Sequence, residues 1–261
     1  MEMIRSKDCT PIAVWHSGSG TPLVLVHGAT VDHTAWASVQ ATLERHFSVW
    51  ILDRRGHGHS GDAAAYAFER EAEDIATVID TIGGRVHVLG HSFGGLCALE
   101  AALLSTNVDR LILYEPPLRV GRSDWSAAFD ARMQALLEKG EKEEALLLFL
   151  RERVKLPPHE ISAVQALPTW AMRVAAAHTI PRELRSADQY AFNARRFRCL
   201  QTPTLLLVGG KSPARWHAIA KTLHAALPNS QIAELPGQGH LAIRMAPDLF
   251  THEVIRFLMP L

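Results

Sequence analysis

The sequence predicts an α/β fold built on a mostly parallel, doubly wound sheet with an inserted helical cap. Two observations indicate this class: short apolar runs alternate with helical stretches, and one long helical region interrupts the alternation. The apolar runs lack period-two alternation, which is typical of strands covered on both faces of a sheet. These runs are Pro22–His27, Phe47–Asp53, Val86–Leu89, Val108–Tyr114 and Pro203–Val208.

Helical patterns separate the predicted strands. They cover Thr34–Arg45, Arg70–Ile82, Phe93–Leu104 and Arg215–Leu227. The last of these patterns stops at Pro228, as expected where a helix ends. Two short segments near the start, Met1–Ile4 and Pro11–Trp15, predict an antiparallel hairpin at one edge of the sheet.

The interruption lies between the fourth and fifth of these strands. It contains four helical stretches: Asp124–Lys139, Glu141–Lys155, His159–Leu167 and Thr169–His178. We therefore predict a core of residues 1–116 and 201–261, with residues 117–200 inserted as a helical cap. Large apolar side chains of this cap either line an acyl pocket or form the cap's own core. They are Trp125, Phe129, Leu148, Phe149, Trp170 and Met172.

Composition and charge argue against several classes of protein. The 261 residues include 27 Lys or Arg and 27 Asp or Glu, so nucleic acid is not an expected partner. No apolar run reaches the roughly 18 residues that span a bilayer, and the first residues do not resemble a secretion signal. Cys9, Cys97 and Cys199 form no pair at a recognisable spacing, which favours a reducing, cytoplasmic setting over a disulfide scaffold or a zinc site.

The strongest local signal is the hexapeptide Gly90-His91-Ser92-Phe93-Gly94-Gly95, which follows a predicted strand and opens a predicted helix. A Gly-x-Ser-x-Gly in this context is a nucleophile elbow, in which small residues allow a sharp turn that exposes the serine hydroxyl. The alternative is a glycine-rich helix start with Ser92 as its cap. We predict Ser92 as the nucleophile.

Four segments in this order resemble the α/β-hydrolase superfamily over the full length of the chain. They are His27–Thr30, Asp53–Gly61, the hexapeptide above and Leu235–His240. The resemblance implies an α/β-hydrolase fold and backbone N–H groups of Ala29 and Phe93 as the oxyanion hole. It also implies His240 as the catalytic base. The chemistry agrees, because a serine needs a neighbouring imidazole and the imidazole needs a carboxylate.

The acid departs from the commonest pattern of the superfamily, which places an Asp after the strand that here ends near Val208. That position holds Ser212. Some members carry a glutamate at the end of the preceding strand, and Glu115 occupies that place here, so we predict Glu115 as the acid. Alternatively, Glu115 pairs with a cap arginine and leaves a Ser–His dyad. Asp248 and Glu234 are weaker candidates.

These expectations describe a serine hydrolase that cleaves a small-molecule carboxylic ester or lactone through an acyl-Ser92 intermediate, without a metal or organic cofactor. Carbon–carbon bond hydrolysis, cofactor-free peroxidation and hydroxynitrile cleavage also use a serine elbow on this fold. A non-catalytic ligand-binding relative is the alternative from another class, and Ser212 motivates it. The sequence does not predict acyl length or oligomeric state.

Three further motifs lack the context that their usual functions require. Gly56–Gly61 matches a dinucleotide-binding fingerprint, but no helix follows it directly and it does not lie in the first strand–helix unit. Gly210-Lys211-Ser212 lacks the leading glycine of a phosphate-binding loop. His57 and His59 have no evident third metal ligand, so we interpret them as part of a turn at the rim of the active site.

Overall fold

The structure is a computed structural model that describes residues 1–63, 65–120 and 126–259. Its eight-stranded sheet confirms the predicted α/β class. The strands are β1 (Glu2–Arg5), β2 (Pro11–Gly18), β3 (Pro22–Val26), β4 (Ser48–Leu52), β5 (Val86–His91), β6 (Val108–Tyr114), β7 (Thr204–Gly209) and β8 (Ser230–Leu235). Their order is β1-β2-β4-β3-β5-β6-β7-β8. Strands β3 to β8 are mutually parallel, and β1 and β2 form the predicted antiparallel hairpin at one edge.

Helices cover both faces of this sheet. Within the described residues they are α1 (Ala37–Leu43), α2 (Phe68–Ile82), α3 (Phe93–Ala101), α4 (Ala127–Glu138), α5 (Lys142–Phe149), α6 (Pro158–Gln165), α7 (Trp170–Ala175), α8 (Ile180–Gln189), α9 (Ala194–Phe197), α10 (Ala214–Ala226), α11 (Ala242–Met245) and α12 (Pro247–Leu258). Helices α2, α3 and α10 contribute to the core on one face, whereas α1, α11 and α12 contribute to the core on the other. The sheet is therefore doubly wound.

The central strands are apolar throughout because each of their faces meets a different core. In β3, Val24 and Val26 belong to one buried cluster, whereas Leu23 and Leu25 belong to the other. Successive side chains of a strand point to opposite faces, so a strand between two helical layers needs apolar residues at every position. This requirement explains why the apolar runs in the sequence predict the positions of β3 to β7.

Two elements of the core carry a weaker sequence signal and were not predicted. Strand β8 lies at the edge of the sheet, and within it only Leu235 is buried. Such a strand has no continuous apolar run to reveal it. Helix α12 begins at Pro247, a residue favoured in the first helical turn, and packs Phe250 and Val254 into the core.

The segment between β6 and β7 is helical. Helices α4 to α9 lie within it, and a π-helical turn at Leu150–Val154 extends α5. Part of this segment has a buried cluster of its own, which includes Met133, Leu146 and Ile180. Among the described residues, no helix is both long enough and apolar enough to cross a membrane.

Candidate active site

Ser92 occupies a sharp turn between β5 and α3. Its backbone adopts φ 53° and ψ −129°, outside the regions that non-glycine residues favour. The turn requires small neighbours: a Cβ added at Gly90 would lie 2.6 Å from the carbonyl oxygen of Gly94 and from the Cα of Gly95. The local sequence thus fits the strand–turn–helix geometry expected of a nucleophile elbow.

Gly94 allows α3 to approach the end of β3 closely. An added Cβ would lie 2.2 Å from the His27 carbonyl oxygen and 2.6 Å from that of Val26, and backbone atoms there cannot move aside cheaply. We expect Gly94→Ala to lower the free energy of unfolding by about 1–3 kcal/mol through overpacking, as measured by urea denaturation. At Gly95 the nearest atom to an added Cβ is 3.0 Å away, so Gly95→Ala serves as a milder control. Equal losses in the two variants would contradict the overpacking account.

Glu115 and His240 form a buried pair at the same end of the sheet. Glu115 directly follows β6 and is 2% exposed, whereas His240 follows β8 and is 7% exposed. His240 Nδ1 lies 2.6 Å from Glu115 Oε2, and the Gly209 backbone N–H donates to Glu115 Oε1 at 2.8 Å. Both carboxylate oxygens are therefore engaged, and Nε2 is the ring nitrogen of His240 that is left to act as a base.

The usual acid position of the superfamily and the two weaker acid candidates lie in other elements. Ser212 follows β7, where its backbone N–H donates to the Gly209 carbonyl oxygen. The Ser212 hydroxyl is buried and has no hydrogen-bond partner among the described residues. Glu234 lies in β8 and Asp248 in the first turn of α12. Among the four positions, Glu115 is the one whose side chain is hydrogen-bonded to the His240 ring in the described structure. The described contacts of Glu115 include no cap arginine.

Three aromatic side chains hold His240 in place, and no pattern in the sequence predicts this role for them. Trp216 stacks on the His240 ring with centroids 4.9 Å apart, and the His91 ring lies 4.7 Å from it. The Tyr114 hydroxyl donates to the backbone carbonyl of Gly239. Burial lowers the pKa of His91, so at neutral pH its uncharged ring donates from Nε2 to the His240 carbonyl at 3.0 Å.

Ala29 and Phe93 flank the serine. The turn that contains Ala29 lies close to Ser92, since a Cβ added at Gly28 would lie 3.0 Å from Ser92 Cβ. Phe93 is the first residue of α3, and the first N–H groups of a helix have no partner within it. The helix dipole also favours negative charge at this end. The two residues thus lie where oxyanion donors would be needed.

Two cavities meet at Ser92 and His240. The larger has a volume of about 170 Å³ and the smaller about 90 Å³, and Ala29 and Phe149 also line both. Helix α5 supplies Phe149 and helix α10 supplies Trp216 to the larger cavity. Ser92 and His240 therefore lie between two spaces, a geometry that suits a ligand with a part on each side of them.

The apolar cap residues have mixed roles. Phe149 lines both cavities and Met172 lines the smaller one. Phe129 and Leu148 belong to the cap's own buried cluster, and Trp170 packs against it. Trp125 lies outside the described residues. Phe149 also belongs to that cluster, so both alternatives for these side chains apply, and in Phe149 they apply to one residue.

A buried ionic cluster joins the helical segment to the core, and no pattern in the sequence predicts it. Arg54, after β4, contacts Glu71 at 3.2 Å and Glu183 of α8 at 2.5 Å. His57 Nε2 lies 3.3 Å from Glu183. Burial raises the pKa of Glu183 to about 7. Through Arg54, the cluster connects α2 and α8 to the turn after β4, beside the larger cavity, which Glu183 lines.

Asp32, His33 and Asp53 form the one cluster with metal-ligand spacing that the described residues contain. Their ligand atoms already have protein partners. Asp53 Oδ1 accepts the backbone N–H of His33 at 2.7 Å, and its Oδ2 accepts that of His59 at 2.7 Å. Asp32 Oδ1 caps the following helical turn through the N–H of Thr34. These bonds account for the residue types without a metal ion.

The fold and this arrangement define the class of protein. The alpha/beta hydrolase family matches residues 23–253, so the chain belongs to that family, as its sequence motifs predicted. A solved α/β hydrolase from Sphaerobacter thermophilus is 36% identical, with a TM-score of 0.86 over 98% of this chain and 100% of that one.

Two further relatives are esterases. The pimeloyl-[acyl-carrier protein] methyl ester esterase of Nitrosospira multiformis is 26% identical over 254 residues, which cover 92% of this chain and 95% of that protein. The solved esterase RhEst1 from Rhodococcus sp. ECU1013 is 25% identical, with a TM-score of 0.81 over 100% of this chain and 98% of that one. The relatives indicate a hydrolase.

Proposed function

We propose that the protein is a serine hydrolase that cleaves a small-molecule carboxylic ester or lactone through an acyl-Ser92 intermediate. The observation that carries the proposal is the buried Glu115–His240 pair, 2.6 Å apart, at the cavity that the Ser92 elbow also lines. The esterase relatives support an ester as the bond that is cleaved, and a lactone is a cyclic ester.

In the first half of the reaction, His240 Nε2 takes the proton of the Ser92 hydroxyl as Ser92 Oγ attacks the carbonyl carbon. Glu115 stabilises the imidazolium that forms. The N–H groups of Ala29 and Phe93 donate to the tetrahedral oxyanion, and each such donor contributes about 10²–10³ in rate. The carbon–oxygen bond then breaks, and His240 gives its proton to the leaving alcohol.

In the second half, His240 removes a proton from water, and the hydroxide attacks the acyl carbonyl in the same oxyanion hole. The ester bond to Ser92 breaks and Ser92 Oγ regains a proton from His240. The carboxylic acid leaves and the enzyme is restored. In a lactone the alcohol remains attached to the acyl chain, so both products leave as one hydroxy acid.

We also propose that residues 117–200 act as a cap on a core of residues 1–116 and 201–261. This division rests on the cavity walls, because Ser92 and His240 come from the sheet side and Phe149 from the helical segment. The three cysteines are free, with Cys97 buried and the other two exposed. Free thiols suit a reducing cytoplasm, where we place the protein.

A fluorophosphonate probe, which phosphonylates activated serines, tests the proposal. We expect intact-mass analysis of the folded protein to show one adduct, and peptide mapping to place it on Ser92, because only an activated hydroxyl reacts readily. Ser92→Ala should remove the adduct, whereas the exposed Ser162→Ala in α6 should retain it. Wild-type protein that stays unlabelled while an authentic serine esterase reacts in the same tube would contradict the proposal.

A further inference from the structure

Arg173 is a buried cation beside the reactive serine. It lies in α7, is 8% exposed, and lines the smaller cavity together with Ser92 and His240. Its Nη2 lies 3.4 Å from the hydroxyl of Thr30, beyond the usual length of a hydrogen bond. Its Nε has no hydrogen-bond partner among the described residues. The guanidinium therefore lies at the cavity with most of its donor capacity unused.

Other buried arginines in this protein are neutralised. Arg54 contacts the carboxylates of Glu71 and Glu183, and Arg55 contacts those of Asp74 and Asp8. Among the described residues, Arg173 has no carboxylate within ion-pair distance. A buried charge is unfavourable unless it is paired, so Arg173 differs from these structural arginines in lacking what would stabilise it.

The smaller cavity as a whole favours an anion. Its described lining includes Arg173 and Arg244 but no Asp or Glu. The larger cavity also has arginines, namely Arg119, Arg153 and Arg215, but its lining includes the carboxylates of Glu183 and Asp188. Burial and the neighbouring Arg244 lower the pKa of Arg173 to about 10, which leaves the side chain protonated at neutral pH. A planar guanidinium with free donors binds a carboxylate through two parallel hydrogen bonds.

We propose that the substrate carries a carboxylate in addition to its scissile ester or lactone bond, and that Arg173 binds this carboxylate in the smaller cavity. The inference rests on the proposed function and deepens it by naming a substrate class. The scissile carbonyl would lie at Ser92, and the anionic end would occupy the side of the site nearest Thr30. The substrate would thus complete the ion pair that the protein leaves open.

Matched esters test this assignment. The p-nitrophenyl monoesters of succinic, glutaric and adipic acids carry a free carboxylate, and their terminal carboxamides are neutral and nearly isosteric. We expect the wild-type enzyme to prefer the best of the carboxylates over its carboxamide in kcat/KM. In Arg173→Gln this preference should fall about 10- to 100-fold, which is the contribution expected of a hydrogen bond between charged groups. Arg173→Lys should retain part of it.

The control is Arg185→Gln, an exposed arginine of α8 that lines neither cavity, and it should leave the preference unchanged. A wild-type enzyme that hydrolyses both ester series without preference would overturn the anion site and leave the proposed function intact. The same conclusion follows if Arg173→Gln slows both series equally, because that pattern indicates general support of the oxyanion.

If no ester is hydrolysed and no fluorophosphonate adduct forms, the proposed function fails, and glutarate then tests the anion site by binding. Glutarate should raise the melting temperature of the wild type but not of Arg173→Gln. Without ligand, Arg173→Met should itself melt a few degrees higher than the wild type, because it removes an unpaired buried charge. A lower melting temperature would indicate a structural arginine and overturn the assignment.

Discussion

Ser92→Ala, His240→Ala and the double variant are expected to lower kcat for the best ester by nearly the same factor, about 10⁶. A nucleophile and its base act as one unit, so removing either member removes the contribution of both. Steady-state kinetics on purified, folded variants would measure the three losses. The exposed His252→Gln in α12 is the matched control and should retain wild-type turnover.

Independent losses would contradict this account. If the double variant lost the product of the two single factors, Ser92 and His240 would contribute separately and no proton would pass between them. If His240→Ala retained most of its activity, another group would activate the serine. His91 would be a poor replacement, because burial lowers its pKa and so makes its ring a weak base, and its Nε2–H donates to the His240 carbonyl.

The sequence predicts those parts of the fold whose surroundings demand one type of residue. Strand β3 meets apolar cores on both faces, so Leu23 to Val26 form an unbroken apolar run that can be recognised without the structure. Strand β8 meets solvent along its edge, and within it only Leu235 is buried. An edge strand has weaker compositional requirements, and its sequence is correspondingly harder to interpret.

In the site, residues that meet local requirements can be predicted from the sequence, and residues brought together by the tertiary fold are harder to predict. The Ser92 elbow is largely a local feature, because Gly90 is required by contacts within the turn itself, although Gly94 is required by the close approach of α3 to the end of β3. Trp216 and Arg173 reach the site from helices that are distant in sequence, and nothing in their neighbourhoods marks them. The sequence predicts Glu115 as the acid because the carboxyl ends of parallel strands lie on the same side of the sheet. Its hydrogen bond to His240, however, is a property of the tertiary structure.

Glu115→Gln is expected to lower kcat by about 10⁴ while leaving the melting temperature close to that of the wild type. The amide can still bind the Gly209 N–H through its oxygen, but it carries no charge to stabilise the imidazolium and can favour the wrong His240 tautomer. Ester kinetics and thermal unfolding would measure the two quantities. Glu234→Gln and Asp248→Asn change carboxylates that do not contact His240 and should retain wild-type kcat. Wild-type turnover in Glu115→Gln would exclude it as the acid.

A second substitution separates charge from shape. Ser212 lies next to Gly209, whose N–H holds Glu115, because a Cβ added at Gly209 would be 2.7 Å from the Ser212 hydroxyl. In the Glu115→Gln background we therefore expect Ser212→Asp to recover part of the lost kcat. Ser212→Asn, whose side chain has the shape of Asp without its charge, should recover none. Recovery with both would show that side-chain volume matters at this position. Recovery with Asp alone would show that His240 needs a negative charge near it. That charge could then come from the end of either β6 or β7, because these parallel neighbours end on the same side of the sheet.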